Sequence, residues 1–316
     1  MASWQGQVVS WLLKRLLKRR RLGGRIARTR ALIRLIAGHD WYRPRGVTIR
    51  PADGAPVPAE WVEPERPAAS SGVREERLPR RTVLYLHGGA YLFCSPRTHR
   101  GITAFLARSV PARVLVPDYR LAPEHPFPAA LEDALACYRW LLSREIAARE
   151  IVLAGDSAGG GLTLAVLLAL KDGGEPLPAA AACLAPWTDL AATGDSVRSN
   201  SASDAWVYGE AVALGARLYL GSTPATHPLA SPLYGELAGL PPLLIHVSAS
   251  ELLRDDGLRL AERARRAGVP VRLRMWSGLP HVWQGFAPFI PEARESLEEI
   301  AAFLAAPQSR AAEAEE

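Results

Sequence analysis

Short runs of branched apolar residues alternate along the chain with longer stretches in which apolar residues return every three or four positions. The first pattern reads as buried strands, at 82–86, 113–117, 151–154, 180–185, 243–247 and 271–275, after weaker signals near Val47 to Ile49 and Trp61 to Val62. The second reads as helices near 97–109, 128–143, 158–171, 254–267 and 292–305. Such alternation predicts a mainly parallel sheet covered on both faces, and ligands of these sheets bind beyond the carboxyl ends of the strands. Three segments break the rhythm. Pro64 to Arg80 is a polar connection, Trp187 to Tyr234 is an insertion with a helical piece at Ala205 to Tyr219, and Ala306 to Glu316 is an acidic tail. At the other end Trp4, Val8, Leu12 and Leu16 fall four apart, with Val9, Leu13 and Leu17 beside them. That spacing predicts an amphipathic helix over 3–20.

Two strand ends carry chemistry. After Ile151-Val152-Leu153-Ala154 comes Gly155-Asp156-Ser157-Ala158-Gly159, and then the apolar helix Leu162 to Leu170. A serine on a sharp strand-to-helix turn, with glycine two residues to either side, is held exposed for attack, so Ser157 is the candidate nucleophile. Upstream, the strand at 82–86 runs into His87-Gly88-Gly89-Ala90. Backbone N–H groups on such a loop can stabilise the negative charge that develops on a carbonyl oxygen, and the expected donors are Gly88 and Gly89, joined by Ala158. His87, at the end of a buried strand, reads as a residue that fixes the loop rather than as a base.

Three stretches together resemble the bacterial hormone-sensitive lipase family of carboxylesterases, in the α/β-hydrolase superfamily: His87 to Ala90 followed by Ser95 to His99, the run Asp118 to Ala130, and Gly155 to Gly160. The similarity extends from about residue 75 to residue 305. It implies an eight-stranded, mainly parallel sheet with helices on both faces and a helical cap. The cap would be built from residues 1–45 and an insertion near 187–225, around a catalytic domain of 46–305, with 306–316 as a flexible tail. α/β-Hydrolases place nucleophile, acid and histidine in that chain order. His281, in a loop after the strand at 271–275, fits the base better than His39, His99, His125, His227 or His246. Where the family carries Asp-Pro-Leu-x-Asp, this chain has Glu251-Leu252-Leu253-Arg254-Asp255. Register and strand position favour Glu251 as the acid, and Asp255, at the start of a helix near Gly257 to Arg266, is the alternative. The chain also departs from the family's third loop glycine, which here is Ala90. Asp118, Arg120 and Glu124, in the middle run, read as structural hydrogen-bonding groups.

Composition narrows the rest. A chain of 316 residues with 48% hydrophobic content can bury one large core. Cys94, Cys137 and Cys183 have no metal-ligand spacing and read as unpaired thiols, and neither a metal nor an organic cofactor is expected. Residues 1–50 hold thirteen Lys or Arg against one acid, Asp40, which accounts for the net charge of +6. This segment is too interrupted by charge to span a bilayer and lacks the cleavage site of a secretory signal. It supports two readings, a cap helix over the site and a surface anchor attracted to anionic lipid. A nucleic-acid partner is not expected. The sequence thus reads as a cytoplasmic serine esterase for short- to medium-chain acyl esters, with self-association left open. A lactone hydrolase is the enzymatic alternative, and a non-catalytic ligand-binding protein on the same fold is the alternative of a different class, against which His281 argues.

Overall fold

The computed structural model describes residues 2–16, 26–38, 44–65, 81–110 and 112–306. Residues 66–80 of the expected polar connection, the tail from 307 onward and the basic residues 18–21 lie outside the described residues. Eight strands, β1 (Val47–Pro51), β2 (Ala59–Pro64), β3 (Arg81–Leu86), β4 (Ala112–Pro117), β5 (Ile151–Asp156), β6 (Ala181–Leu184), β7 (Leu243–Ser248) and β8 (Val271–Trp276), form one sheet. Their order is β1-β2-β4-β3-β5-β6-β7-β8. β1, β2 and β4 pair antiparallel, and every pairing from β4 to β8 is parallel. Among the described residues the helices are α1 (Trp4–Leu16), α2 (Ile26–Gly38), α3 (Arg100–Ser109), α4 (Ala129–Ser143), α5 (Ala158–Asp172), α6 (Ser196–Ser199), α7 (Gly209–Leu220), α8 (Arg254–Arg266) and α9 (Pro291–Ala305).

The period of two along each central strand divides the core. Leu84 and Leu86 of β3, with Ile151 and Leu153 of β5, join a cluster with Leu131, Leu162 and Leu260 from α4, α5 and α8. Their neighbours Val83, Tyr85, Val152 and Ala154 face the other way, onto Leu106 of α3 and Leu297, Ile300 and Leu304 of α9. Strands buried on both faces need continuous apolar runs, which is why their sequence lacks polar alternation. Each fully buried leucine or valine contributes about 1.5–3 kcal/mol. β5 lies at the middle of the sheet, and its carboxyl end is where the parallel strands deliver their loops.

The expected strands are all present. The helix expected near 97–109 starts with a 3-10 turn, Pro96–His99, in which Thr98 Oγ1 receives the Ser95 N–H and donates to the Ser95 carbonyl. α8 spans Arg254–Arg266, within the expected 254–267, and its first turn gathers Asp255 and Asp256 at the positive end of the helix. The middle run plays the structural part read from its sequence: Arg120 pairs with Asp133 and Glu132, and Glu124 with Arg30.

α1 and α2 precede the sheet in sequence and are tied to loops far along it. Ser3 donates through N and Oγ to the Glu292 carboxylate (2.5 and 2.8 Å), and Gly6 is buried against Leu279. Arg30 spreads its guanidinium over three partners: the Leu92 carbonyl (2.7 Å), the Ala122 carbonyl (2.6 Å) and Glu124 (2.9 Å). Charged hydrogen bonds of this kind contribute about 1.5–3 kcal/mol each when partly shielded, so Arg30 is the chief polar tether of α2. Arg30→Ala should lower hydrogen-exchange protection in α2 while leaving that of β3 and β5 unchanged; equal protection of α2 in both proteins would remove Arg30 from this role.

Candidate active site

The turn between β5 and α5 is forced by close packing. Ser157 adopts φ 52° and ψ −121°, a conformation costly for a residue with a side chain. A Cβ at Gly155 would collide with the Gly159 carbonyl, and one at Gly159 with the carbonyls of Leu86 and His87. Glycine at both places lets the first turn of α5 press against the end of β3. Ser157 N–H donates to the Leu184 carbonyl (2.8 Å), and the Ser157 carbonyl accepts from Trp187 N–H (2.9 Å). The strained serine is thereby braced from β6.

His281 reaches this serine from the loop after β8. Its Nε2 lies 2.8 Å from Ser157 Oγ, and its Nδ1 lies 2.5 Å from Glu251 Oε2. Val282, in the left-handed region at φ 52°, makes the bend that follows, and the Trp206 indole N–H holds the His281 carbonyl (3.0 Å). Glu251 is fully buried just beyond β7, and its Oε1 accepts the Ser248 N–H (2.6 Å). Asn200, from the insertion, donates to the Glu251 carbonyl (2.8 Å). Burial pulls the imidazole of His281 down, but the hydrogen bond and charge of Glu251, with smaller contributions from Asp204 and Asp156, outweigh it and leave the group above its ordinary 6.5.

Asp255, the alternative acid, is occupied elsewhere. Its Oδ2 accepts the Ser196 N–H (2.8 Å) and its Oδ1 pairs with Arg254 (2.8 Å), which joins the start of α8 to α6. Asp256 beside it is fully buried and receives the N–H groups of Thr188 and Asp189 (2.8 Å each). Burial pushes its carboxyl up to about 8, against the pull of those two donors.

Gly88 N–H donates to Asp156 Oδ1 (3.1 Å) and so holds the loop after β3 to β5. The next two N–H groups belong to Gly89, at φ 119°, and Ala90, at φ 55°. Both residues are partly exposed where Gly88 is buried. Glycine count alone could not distinguish a scaffold N–H from a free one.

Asp156 itself escaped sequence reasoning, although it stands inside the serine motif. Its Oδ1 also accepts from Tyr85 OH (2.8 Å), and its Oδ2 lies 3.2 Å from His99 Nε2. The usable signal was an acid closing a strand whose other residues are all apolar or glycine. His87, by contrast, stacks on Tyr119 (4.2 Å between centroids) and places Nδ1 2.8 Å from the Gly88 carbonyl. Burial first, then the nearby charge of His99, push it down to about 3, so it remains neutral. Cys137 and Cys183 are buried free thiols pushed up to about 12 by burial, and among the described residues no group of His, Cys, Asp and Glu could hold a metal ion.

Residues 83–285 match a family profile described as the alpha/beta hydrolase fold. An acetyl-hydrolase of Streptomyces hygroscopicus is 46% identical over 246 residues, covering 78% of this chain and 79% of its own. A solved esterase of the bacterial hormone-sensitive lipase family superposes with a TM-score of 0.86 at 42% identity, over 96% of this chain and 98% of the other. The chain belongs to the bacterial hormone-sensitive lipase family of α/β-hydrolases. In this chain Ser157 at the elbow, His281 after the last strand and Glu251 after β7 meet at the carboxyl end of the sheet, as the topology of parallel strands requires. The Glu251 carboxylate uses one oxygen on the Ser248 N–H and the other on His281.

Titration of His281 followed by NMR in Ser157→Ala should give an apparent pKa above 6.5. Adding Glu251→Gln should bring it below 6.5, because burial then acts with its largest opposing cause removed. A value unmoved by the second substitution would mean that Glu251 does not carry the shift.

Proposed function

We propose that this chain is a serine carboxylester hydrolase that cleaves short- to medium-chain acyl esters through an acyl-enzyme. The observation that carries the reading is the continuous hydrogen-bonded line from Ser157 Oγ through His281 to Glu251. In this mechanism Glu251 holds the imidazole in the tautomer with the proton on Nδ1, so that Nε2 accepts the Ser157 hydroxyl proton as Oγ attacks the ester carbonyl. The carbonyl oxygen takes up the negative charge and is met by the N–H groups of Gly89, Ala90 and Ala158, Ala90 taking the place first expected of Gly88. The tetrahedral species collapses, the alcohol leaves with the proton from His281, and the acyl group stays on Ser157. Water gives a proton to the same imidazole, attacks the acyl carbon, and the acid is released as the proton returns to Ser157.

Residues 1–45 and 187–225 form the cap in this reading. Support comes from what the insertion touches. Trp206 and Asn200 hold the backbone of the base and the acid, Asp204 receives the Leu252 N–H (2.9 Å), and Tyr219 of α7 stacks on Tyr91 of the donor loop with centroids 3.6 Å apart. The insertion therefore both covers the site and fixes its members. A lidded pocket of ordinary size buries a small acyl group completely and a long one in part, which favours roughly C4 to C8 chains. The free thiols of all three cysteines accord with a cytoplasmic setting.

Ser157→Ala should remove about six orders of magnitude of kcat on p-nitrophenyl butyrate and leave the fold intact. Glu251→Gln should cost about four orders, whereas Asp255→Asn should lower Tm and leave kcat within about threefold. Steady-state kinetics on the purified proteins decide this, and an inactive Asp255 variant beside a nearly normal Glu251 variant would reverse the assignment of the acid. Because the neutral imidazole is the active form and its pKa is raised, kcat/KM should climb with pH through a midpoint above 6.5 and then level off. A profile falling over the same range would rule out His281 as the base.

A further inference from the structure

α1 is apolar on two sides and uses one. The near side, Ala2, Gly6 and Val9, packs on the loop that carries His281 through Leu279 and Phe286, and Ser3 fastens it to the start of α9. The far side places Trp4, Val8, Trp11 and Leu12 at helical spacing, and all four are exposed, Trp4 by 71% and Trp11 by 56%. Leu16, 59% exposed, continues the row at the end of the helix. Exposed Lys14 and Arg15 lie on this side or at its edge, Arg15 with its guanidinium 5.4 Å from the centre of the Trp11 ring. On α2, Arg28, Leu32 and Leu35 repeat the arrangement at spacings of four and three, all exposed. Lys18, Arg19, Arg20 and Arg21 follow α1 in sequence, outside the described residues, and no acidic residue occurs before Asp40.

Large apolar side chains left in water beside uncompensated positive charge are unusual on a protein that gains nothing from them. Two physical facts select the occupant. A row of tryptophan and leucine flanked by lysine and arginine is the composition of helices that lie in the plane of a lipid interface, their rings among the headgroups and their cations against anionic lipid. Moreover, a 13-residue helix is about 20 Å long, too short to cross a hydrocarbon core of about 30 Å, and no helix among the described residues is long and apolar enough to do so. A second copy of the chain would bring the same positive charge to this face and be repelled by it. We propose that the outer face of α1 docks on an anionic lipid surface, setting the loop of His281 beside that surface so that esters dissolved in the lipid are within reach of Ser157. The consequence for substrate rests on the ester-hydrolase reading; the docking does not.

The test uses the full chain with vesicles of phosphatidylcholine alone and of phosphatidylcholine with phosphatidylserine. Cosedimentation should favour the anionic vesicles by about tenfold or more and should weaken with salt. Trp4→Ser/Trp11→Ser and Lys14→Glu/Arg15→Glu should each reduce that binding by about tenfold, with each variant's rate on soluble p-nitrophenyl butyrate as its own reference for turnover in vesicles. With tributyrin dissolved in the anionic vesicles, the same variants should lose turnover in proportion. Equal sedimentation of wild type and variants would overturn the proposal. So would a wild-type dimer in size-exclusion chromatography that the tryptophan variant converts to monomer with no vesicle binding by either. Ser157→Ala should still sediment with anionic vesicles, so a failure of the ester-hydrolase reading shows up as vesicle binding without turnover and is told apart from a failure of docking.

Discussion

Asp156 is buried at the end of the central strand, next to the serine, and remains ionised there. Burial alone would push its carboxyl up, yet the charge of His99 and the hydrogen bonds from His99 and Tyr85 hold it below the ordinary carboxylate range. Its remaining capacity is used on Gly88 N–H, which ties the loop after β3 to the strand that ends in Ser157. Ser157 and the loop after β3 are thus tied to one polar cluster rather than being two strand ends that happen to be close. Paired in this way, a buried carboxylate is costly to disturb, since removing one partner leaves a charge without solvent or counterion. The glycine contacts of the elbow reinforce the same spacing sterically, so the distance from Ser157 to the donor loop is set twice, by charge and by packing.

The insertion between β6 and β7 does for the acid and the base what Asp156 does for the donor loop. Asn200, Asp204 and Trp206 lie within seven residues of one another and bond to the backbone at Glu251, Leu252 and His281 respectively. These are contacts to main-chain atoms, which fix loop positions whatever side chain stands there. Because one insertion holds the backbone at both Glu251 and His281, a change in its packing is transmitted to both.

Features set by local pattern were legible in the sequence. β3 to β7 follow from nearly continuous apolar runs, and Ser157 from a motif with strand and helix on its two sides. His281 and Glu251 required knowledge of chain order in related folds, because nothing in their own neighbourhoods distinguishes them from His99 or Asp255. Asp156 and the use of Gly88 depend on residues 57 and 68 positions apart, and Arg30 on partners 62 to 94 positions away. No periodicity spans such distances. The bond made by Gly88 N–H has the same origin: which N–H a loop leaves free is decided by the acceptor that claims its neighbour.

The contact between Ser3 and Glu292 joins positions 289 apart in a chain of 316. During synthesis α1 emerges long before the surface that receives its inner face, since Leu279 and α9 follow it far along the chain. Loop closure on that scale is entropically costly and therefore slow. Until then α1 presents both apolar sides to its surroundings. The helix is made well before the surface that seats it, and its seating reports that the segment from Leu279 to α9 has folded.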